Sequence, residues 1–72
     1  MAREVGERRV GEIDEGTVSD LLPFGAVVRL DGGGRGLLPE VEWQERPEVG
    51  QRLRVEILAV DRELDRMSLR PA

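Results

Sequence analysis

The sequence predicts an all-β fold, a small barrel of five strands with a short helical turn between the third strand and the fourth. Three observations support this prediction. In several short segments, apolar and polar residues alternate with a period of two, as in strands that bury one face. Glycine and proline separate these segments and mark turns. No long segment follows the 3.6-residue period of an amphipathic helix.

The N-terminal part of the chain divides into a lead-in and a strand. Residues 1–9 are charged and show no period, so we expect a flexible lead-in there. The barrel domain is then predicted to span residues 10–72. Its first strand covers residues 10–22, with a bend at Gly16. Pro23 ends this strand because proline has no N–H to donate within a sheet.

A predicted hairpin follows. Residues 26–30 are rich in β-branched side chains and predict the second strand. Residues 31–36 contain four glycines and predict a tight turn, because glycine readily adopts positive φ angles. Residues 36–38 form a short third strand. No helix with a lysine follows the glycines, so this turn is not a phosphate-binding loop of the P-loop type.

The C-terminal half predicts the remaining elements. Residues 39–43 start with proline and continue with acids, which is typical of a single helical turn. Residues 44–50 form a polar loop, and residues 52–59 show the clearest alternation in the chain. A turn at residues 61–65 leads to the fifth strand at residues 66–70. This order matches the OB-fold, a five-stranded Greek-key barrel, and an SH3-like barrel is the nearest alternative.

Composition excludes several classes of function. The chain has 72 residues, which corresponds to one domain, and it has neither cysteine nor histidine. Disulfides and cysteine-based metal sites are therefore excluded, and the commonest general base is missing. We expect no catalytic residues, no metal, no cofactor and no enzyme activity. No apolar run approaches the roughly 20 residues that span a bilayer, so we expect a cytoplasmic monomer without a membrane partner.

The charge distribution bears on the kind of partner. A net charge of −4 and a pI of about 4.8 argue, by themselves, against nucleic-acid binding. However, the acids concentrate in residues 1–23 and 39–51, whereas residues 24–38 and 52–72 carry a small positive excess. All eleven basic residues are arginine, which suits contacts to phosphates and stacked bases. A coding bias towards arginine is the simpler explanation of this choice.

Four motifs, in the right order and at suitable spacing, resemble the S1 RNA-binding domain family. The resemblance covers about residues 10–70. The motifs that carry it are Gly16-Thr17-Val18, Pro23-Phe24-Gly25-Ala26-Val27-Val28, Gly36-Leu37-Leu38-Pro39 with Glu42, and Val49-Gly50-Gln51 through Val60-Asp61 followed by Arg66-Met67-Ser68-Leu69. Each motif is weak alone, but together they imply the OB-fold of the family.

The resemblance also implies a set of binding residues. In the family, two aromatic residues and a histidine form a platform for RNA. Phe24 stands at the first aromatic position, Val27 replaces the second aromatic residue, and Pro39 stands where the histidine is usual. The family's aspartate and arginine near the last two strands correspond to Asp61 and Arg66.

Several assignments remain open from the sequence alone. Phe24 either stacks on a base or fills the core, and alternation places it on one face with Val27 only if a bulge resets the strand at Gly25. Arg29 and Arg35 are candidate phosphate contacts. Asp61 either accepts a hydrogen bond from the ligand or caps its turn. We expect Trp43 to pack against the barrel and not to stack on RNA.

We therefore expect a module that binds single-stranded RNA with weak sequence preference and marked salt dependence. Further partners on this hypothesis are the ribosome or an RNA-processing protein, to which the domain is an accessory. The alternative is a module on the same fold that docks onto a protein or the ribosome and has little affinity for free RNA. In that case the acidic residues 39–51 would face a basic partner.

Overall fold

The computed structural model describes residues 7–72, and the predicted fold class is confirmed. The 3₁₀ turn lies between the third strand and the fourth, as expected. The elements are β1 (Ile13–Leu22), β2 (Gly25–Leu30), β3 (Arg35–Pro39), the 3₁₀ turn (Glu40–Glu42), β4 (Arg52–Asp61) and β5 (Arg66–Pro71).

The strands close into a barrel in the order β1-β2-β3-β5-β4. Strand β1 pairs with β2 along one side and with β4 along the other, both antiparallel. A short parallel contact between β3 and β5 closes the barrel. Closure gives every strand of the described barrel two neighbours.

All five strands contribute to one apolar core. Every second residue of a strand points inward. The sequence predicted this for Val28 and Leu30 in β2 and for Met67 and Leu69 in β5, and all four side chains are buried. Burying side chains of this size contributes roughly 1.5–3 kcal/mol each. The buried apolar residues are Val18, Ala26, Val28, Leu30, Leu38, Val55, Ile57, Met67 and Leu69.

Two β-bulges interrupt the alternation. The register of β4 against β5 shifts between Ile57 and Ala59, so Leu58 is the extra residue. As a result Ala59 is exposed and Val60 packs against the core, contrary to the simple alternation that the sequence suggested. The second bulge lies in β1, between Val18 and Asp20.

Gly16, where we expected a bend, serves close packing instead. A Cβ atom at this position would lie 2.5 Å from the carbonyl oxygen of Arg29 and 2.7 Å from Val28 Cγ1. The backbones of β1 and β2 therefore approach one another where only glycine fits. The irregularity in β1 comes three residues later, at Ser19.

Trp43 covers one end of the barrel. Its ring packs against the core, and its Nε1–H donates a hydrogen bond to the carbonyl oxygen of Leu38 at 3.0 Å. A buried indole usually needs such an acceptor. This geometry agrees with the expectation that Trp43 packs.

The expected lead-in is only partly described. Residues 1–6 lie outside the described residues. Arg8, however, is 1% exposed, and its Nη2 lies 2.9 Å from Asp14 Oδ2. The folded domain therefore includes residue 8, two positions before the boundary that the sequence suggested. Within residues 7–72, no helix has both the length and the apolar character needed to cross a membrane.

Candidate nucleic-acid interface

Phe24 lies on the surface, in the two-residue turn that joins β1 to β2. Its side chain is 61% exposed, so the core alternative is excluded. Because Phe24 precedes the first residue of β2, strand alternation does not govern its direction, and no bulge at Gly25 is needed. The N–H of Glu40 donates to the Phe24 carbonyl oxygen at 3.0 Å, which fixes the turn against the 3₁₀ turn.

Four of the seven predicted site residues meet at one shallow pocket of about 260 Å³. Phe24 and Val27 supply apolar surface, and Arg35 and Arg66 supply charge from β3 and β5. With residues of β1 that also line it, the pocket involves four strands, although these residues are far apart in the sequence. Its other lining residues are Asp20, Leu22, Gly36 and Leu37.

Arg29 lies outside this pocket but continues the same surface. Its Cα is paired with that of Arg35 in the β2–β3 register. Residues directly opposite one another in an antiparallel pair project to the same side of the sheet, and both arginines are exposed. Arg29 and Arg35 therefore extend the surface towards the β2–β3 turn.

Asp61 and Pro39 lie away from the pocket. Asp61 Oδ1 accepts hydrogen bonds from the N–H groups of Glu63 at 3.1 Å and Leu64 at 3.0 Å, so it caps the β4–β5 turn. It also lines a neighbouring depression of about 400 Å³, which shares Leu37 and Arg66 with the first pocket.

Pro39 pairs with Gly25 at the end of the β2–β3 ribbon and is only half-buried. It does not line the pocket that contains Phe24. Its pyrrolidine ring offers neither charge nor a hydrogen-bond donor.

The arginines on this surface are not neutralised within the described part of the chain. Arg29, Arg35 and Arg66 form no ion pair with any residue between 7 and 72. The pocket contains one carboxylate, that of Asp20. This surface therefore carries a positive excess in a chain whose net charge is −4.

Two exposed arginines on other sides of the barrel have carboxylate partners, whereas Arg54 on β4 has no ion pair with any residue between 7 and 72. Arg70 Nη2 lies 2.9 Å from Glu56 Oε1, and the guanidinium of Arg52 binds both carboxylate oxygens of Asp31. The hydrogen bond from Arg52 holds the pKa of Asp31 below its usual value. Counting arginines in the sequence does not separate these two groups, since the difference lies in which carboxylates the strands bring close.

Sequence reasoning missed Asp20, Leu22 and Leu37 as part of the pocket. The signal for Leu37 was present, because it lies between the inward residues Gly36 and Leu38 of β3 and so points outward. For Asp20 and Leu22 the bulge at Ser19 decides the direction of the side chains, and alternation gives no hint of it.

Comparison with known proteins identifies the family of this chain. The S1 RNA binding domain family matches residues 7–70, which is nearly the whole chain. The chain belongs to the S1 RNA-binding domain family. The match begins at residue 7, which is consistent with the buried position of Arg8.

Two similar proteins are much longer than this chain. A polyribonucleotide nucleotidyltransferase from Ehrlichia canis is 34% identical over 74 residues, and the match covers 92% of this chain but 9% of that enzyme. A probable ribonuclease FAU-1 from Haloarcula marismortui is 50% identical over 48 residues, covering 67% of this chain and 10% of that protein. The chain thus spans about a tenth of these relatives.

A solved structure confirms the relationship in three dimensions. The solution structure of GSP13 from Bacillus subtilis matches with a TM-score of 0.79 and 33% identity. The match covers 90% of this chain and 56% of that one.

Proposed function

We propose that this S1 domain binds single-stranded RNA across β2, β3 and β5. The observation that carries the proposal is the exposed ring of Phe24 beside Arg35 and Arg66, which lack carboxylate partners in the described chain. One base stacks on Phe24, and arginine side chains hold the neighbouring phosphates. The domain binds RNA and catalyses no reaction itself.

The position of Phe24 suits stacking. Its ring is 61% exposed, although the domain has few large apolar side chains with which to fill its core. Stacking of one base on an aromatic ring contributes about 1–3 kcal/mol. Val27, beside Phe24 in the pocket, adds apolar contact but no aromatic face. A single ring therefore implies modest affinity.

The three arginines set the salt dependence. Each phosphate that a protein neutralises on a single strand contributes about −0.7 to the slope of log K against log salt. With Arg29, Arg35 and Arg66 each contacting one phosphate, we expect a slope of roughly −2. Stacking and charge contacts tolerate any base, so sequence preference is weak.

The test is fluorescence anisotropy of a labelled single-stranded RNA of about ten nucleotides, a length within the range of OB-fold sites. Wild type is compared with Phe24→Ala and with Val41→Ala, a matched control at a side chain that is 90% exposed and outside the pocket. We expect Phe24→Ala to weaken binding at least fivefold, about 1 kcal/mol, and Val41→Ala to leave it unchanged. Equal effects from both variants contradict the proposal.

A second candidate function follows from the 3₁₀ turn. Glu40 and Glu42 flank Val41, which is 90% exposed, and this combination suits docking onto a basic protein surface or the ribosome. If wild type fails to bind the RNA even at low salt, docking is the better proposal. A pull-down with wild type and Glu40→Lys/Glu42→Lys then tests it, since charge reversal must remove a partner that depends on these acids.

A further inference from the structure

We propose that Arg8 is a positioning residue for RNA binding, which holds the glycine turn between β2 and β3 so that Arg29 and Arg35 are presented together. The proposal rests on the proposed function of this face and adds a residue that touches no RNA. It is carried by a buried cation whose partners are on the turn and on the strand beside it.

Arg8 is a charged side chain with 1% exposure, and three polar groups surround it. Its Nη2 donates to Asp14 Oδ2 at 2.9 Å, and its Nη1 donates to the carbonyl oxygen of Gly33 at 3.1 Å. Its Nε lies 3.1 Å from Glu12 Oε2. A buried guanidinium is retained only when its charge is compensated in this way.

The same carboxylate also holds the turn. Asp14 Oδ2, which accepts from Arg8, accepts from the N–H of Gly32 at 2.9 Å as well. Arg8 and Asp14 thus bind two peptide groups of the turn, the one between residues 31 and 32 and the one between residues 33 and 34. We call this arrangement of Arg8, Asp14, Gly32 and Gly33 the turn clamp.

The turn is a segment that needs such a clamp. It contains three successive glycines at positions 32–34, and two of them have positive φ angles, 104° at Gly33 and 85° at Gly34. Glycine has the largest conformational freedom to lose on ordering. At its ends the turn joins Arg29 to Arg35 through paired strands, and the like charges of these two residues repel across the ribbon.

The other side-chain link to this turn is weaker. Arg52 binds Asp31, but both side chains are half-exposed, at 53% and 50%. Solvent and salt screen an exposed pair of this kind, whereas the pair of Arg8 with Asp14 is largely shielded. Backbone hydrogen bonds also hold the turn, from the N–H of Leu30 to the carbonyl oxygen of Gly34 at 3.0 Å and from the N–H of Gly33 to the carbonyl oxygen of Leu30 at 3.1 Å. To these the turn clamp adds the side-chain contact that salt screens least.

A turn that is already ordered in the free protein raises RNA affinity, because the entropy cost of ordering it is then not part of the free energy of binding. Without the clamp, the turn keeps its backbone hydrogen bonds but loses this side-chain support, so Arg35 is held less firmly opposite Arg29 and part of the ordering accompanies RNA binding. Phe24, at the opposite end of β2, and Arg66, on β5, are not attached to this turn. Loss of the clamp should therefore reduce what Arg35 contributes to RNA affinity, and it should leave the contributions of Phe24 and Arg66 to RNA affinity unchanged.

Two variants disturb the clamp by different means. Arg8→Gln removes the cation. Gly32→Ala retains every charge, but its Cβ would lie 2.5 Å from Arg8 Nη1 and 2.9 Å from Asp14 Oδ2, so the guanidinium must move. Gly32 is not among the residues with positive φ, so alanine is compatible with its backbone. If Arg8→Gln fails to fold, Gly32→Ala still provides the test.

The experiment is a pair of double-mutant cycles on RNA affinity, measured with the ten-nucleotide RNA. Each clamp variant is combined with Arg35→Gln and, as the matched control, with Arg66→Gln. We expect a clamp variant alone to weaken binding about three- to tenfold, a range typical of energetic coupling between linked groups. In a protein that already carries Arg35→Gln, adding a clamp variant should weaken RNA binding by a further factor of less than about two. In a protein that carries Arg66→Gln, the clamp variant should weaken RNA binding by the same factor as it does in wild type.

The readout separates a positioning role from a general loss of stability. Unfolding midpoints are measured in parallel, and RNA affinity is determined at a temperature where every variant is folded. If a clamp variant reduces RNA affinity by the same factor with Arg35→Gln as with Arg66→Gln, the positioning role is overturned, but the proposed function is not. Absence of RNA binding by wild type overturns both. A strong coupling to Arg35 and none to Arg66 supports the proposal.

Discussion

Arg29 and Arg35 lie directly opposite one another on β2 and β3, with their Cα atoms in register and without carboxylate partners in the described chain. Like charges in this position destabilise an antiparallel pair by a few tenths to about 1 kcal/mol. A small domain with a thin core tolerates this cost when a ligand of opposite charge offsets it. On the proposed function, the phosphates of bound RNA offset the repulsion between these two arginines.

The first prediction concerns Arg35→Gln, which should change stability and RNA affinity in opposite directions. Removing one of two opposed charges relieves repulsion, so the free energy of unfolding should stay equal or rise by up to about 1 kcal/mol. RNA affinity should fall about three- to tenfold, and the salt slope should become shallower by about 0.7. Urea unfolding and anisotropy titrations at several salt concentrations measure the two effects.

Arg54→Gln is the matched control for this prediction. It makes the same charge change on β4, at an exposed position away from the pocket. If Arg54→Gln reduces affinity and salt slope as much as Arg35→Gln, binding depends on overall charge and not on this face.

The second prediction is a gain of affinity from Val27→Phe. Val27 is partly buried and lines the pocket beside Phe24, so a phenylalanine there adds a second ring next to the first. A second stacked base should strengthen binding at least fivefold, from about 1 kcal/mol or more. The measurement is the dissociation constant of the ten-nucleotide RNA for this variant against wild type.

Val41→Phe tests whether any added ring has the same effect. Position 41 is 90% exposed and lies in the 3₁₀ turn, outside the pocket. We expect no change there. A comparable gain from both variants would show that the rings act by unspecific contact with bases.

The fold was predictable because the residues that decide it repeat a simple pattern. Val55 and Ile57 of β4 alternate with polar neighbours, and Met67 and Leu69 of β5 do the same. This alternation predicts which side chains of each strand point into the core. The bulge at Leu58 was not predictable, since one extra residue changes the register without changing the composition.

The site was less predictable than the fold, for two physical reasons. Phe24 lies in a turn, where the period of a strand says nothing about the direction of a side chain. Arg8 reads as one charge among many in the N-terminal segment, and its burial depends on Asp14 and Gly33, which only the closed barrel brings close. The resemblance to a family indicated Phe24, but it gave no indication of Arg8.

The third prediction separates Trp43 from the RNA-binding residues. Trp43→Phe keeps an aromatic ring at the end of the barrel but loses the hydrogen bond from Nε1–H to the Leu38 carbonyl oxygen. The free energy of unfolding should fall by about 1–3 kcal/mol, because the carbonyl group loses its side-chain donor. RNA affinity of the folded variant should be unchanged.

Intrinsic fluorescence provides an independent check, since Trp43 is the only tryptophan. Saturating RNA should alter its emission little if the ring packs against the barrel. Strong quenching by RNA, combined with a loss of affinity in Trp43→Phe, would assign it to the binding surface.

The last prediction concerns acid stability and Asp14. Burial raises the pKa of Asp14, but hydrogen bonds from Arg8 and from the N–H groups of Gly32 and Glu15 outweigh it and hold the pKa below its usual value of 3.8. A carboxyl group with a lower pKa in the folded state stabilises the fold above its unfolded pKa. That contribution is lost as the pH falls through the folded pKa, so the window lies below about pH 4.

Asp14→Asn should therefore reduce the free energy of unfolding at neutral pH by about 1–2 kcal/mol, through loss of a hydrogen bond to a charged group. The difference from wild type should shrink as the pH falls below about 4, because protonation then removes the same charge from wild type. Urea unfolding at a series of pH values measures this.

Asp31→Asn is the control. The pKa of Asp31 is also lowered, by Arg52, but the side chains of both residues are half-exposed. Loss of this carboxylate should therefore change the free energy of unfolding little at any pH. A gap between wild type and Asp14→Asn that stays constant down to pH 2 would show that packing at this position matters and its charge does not.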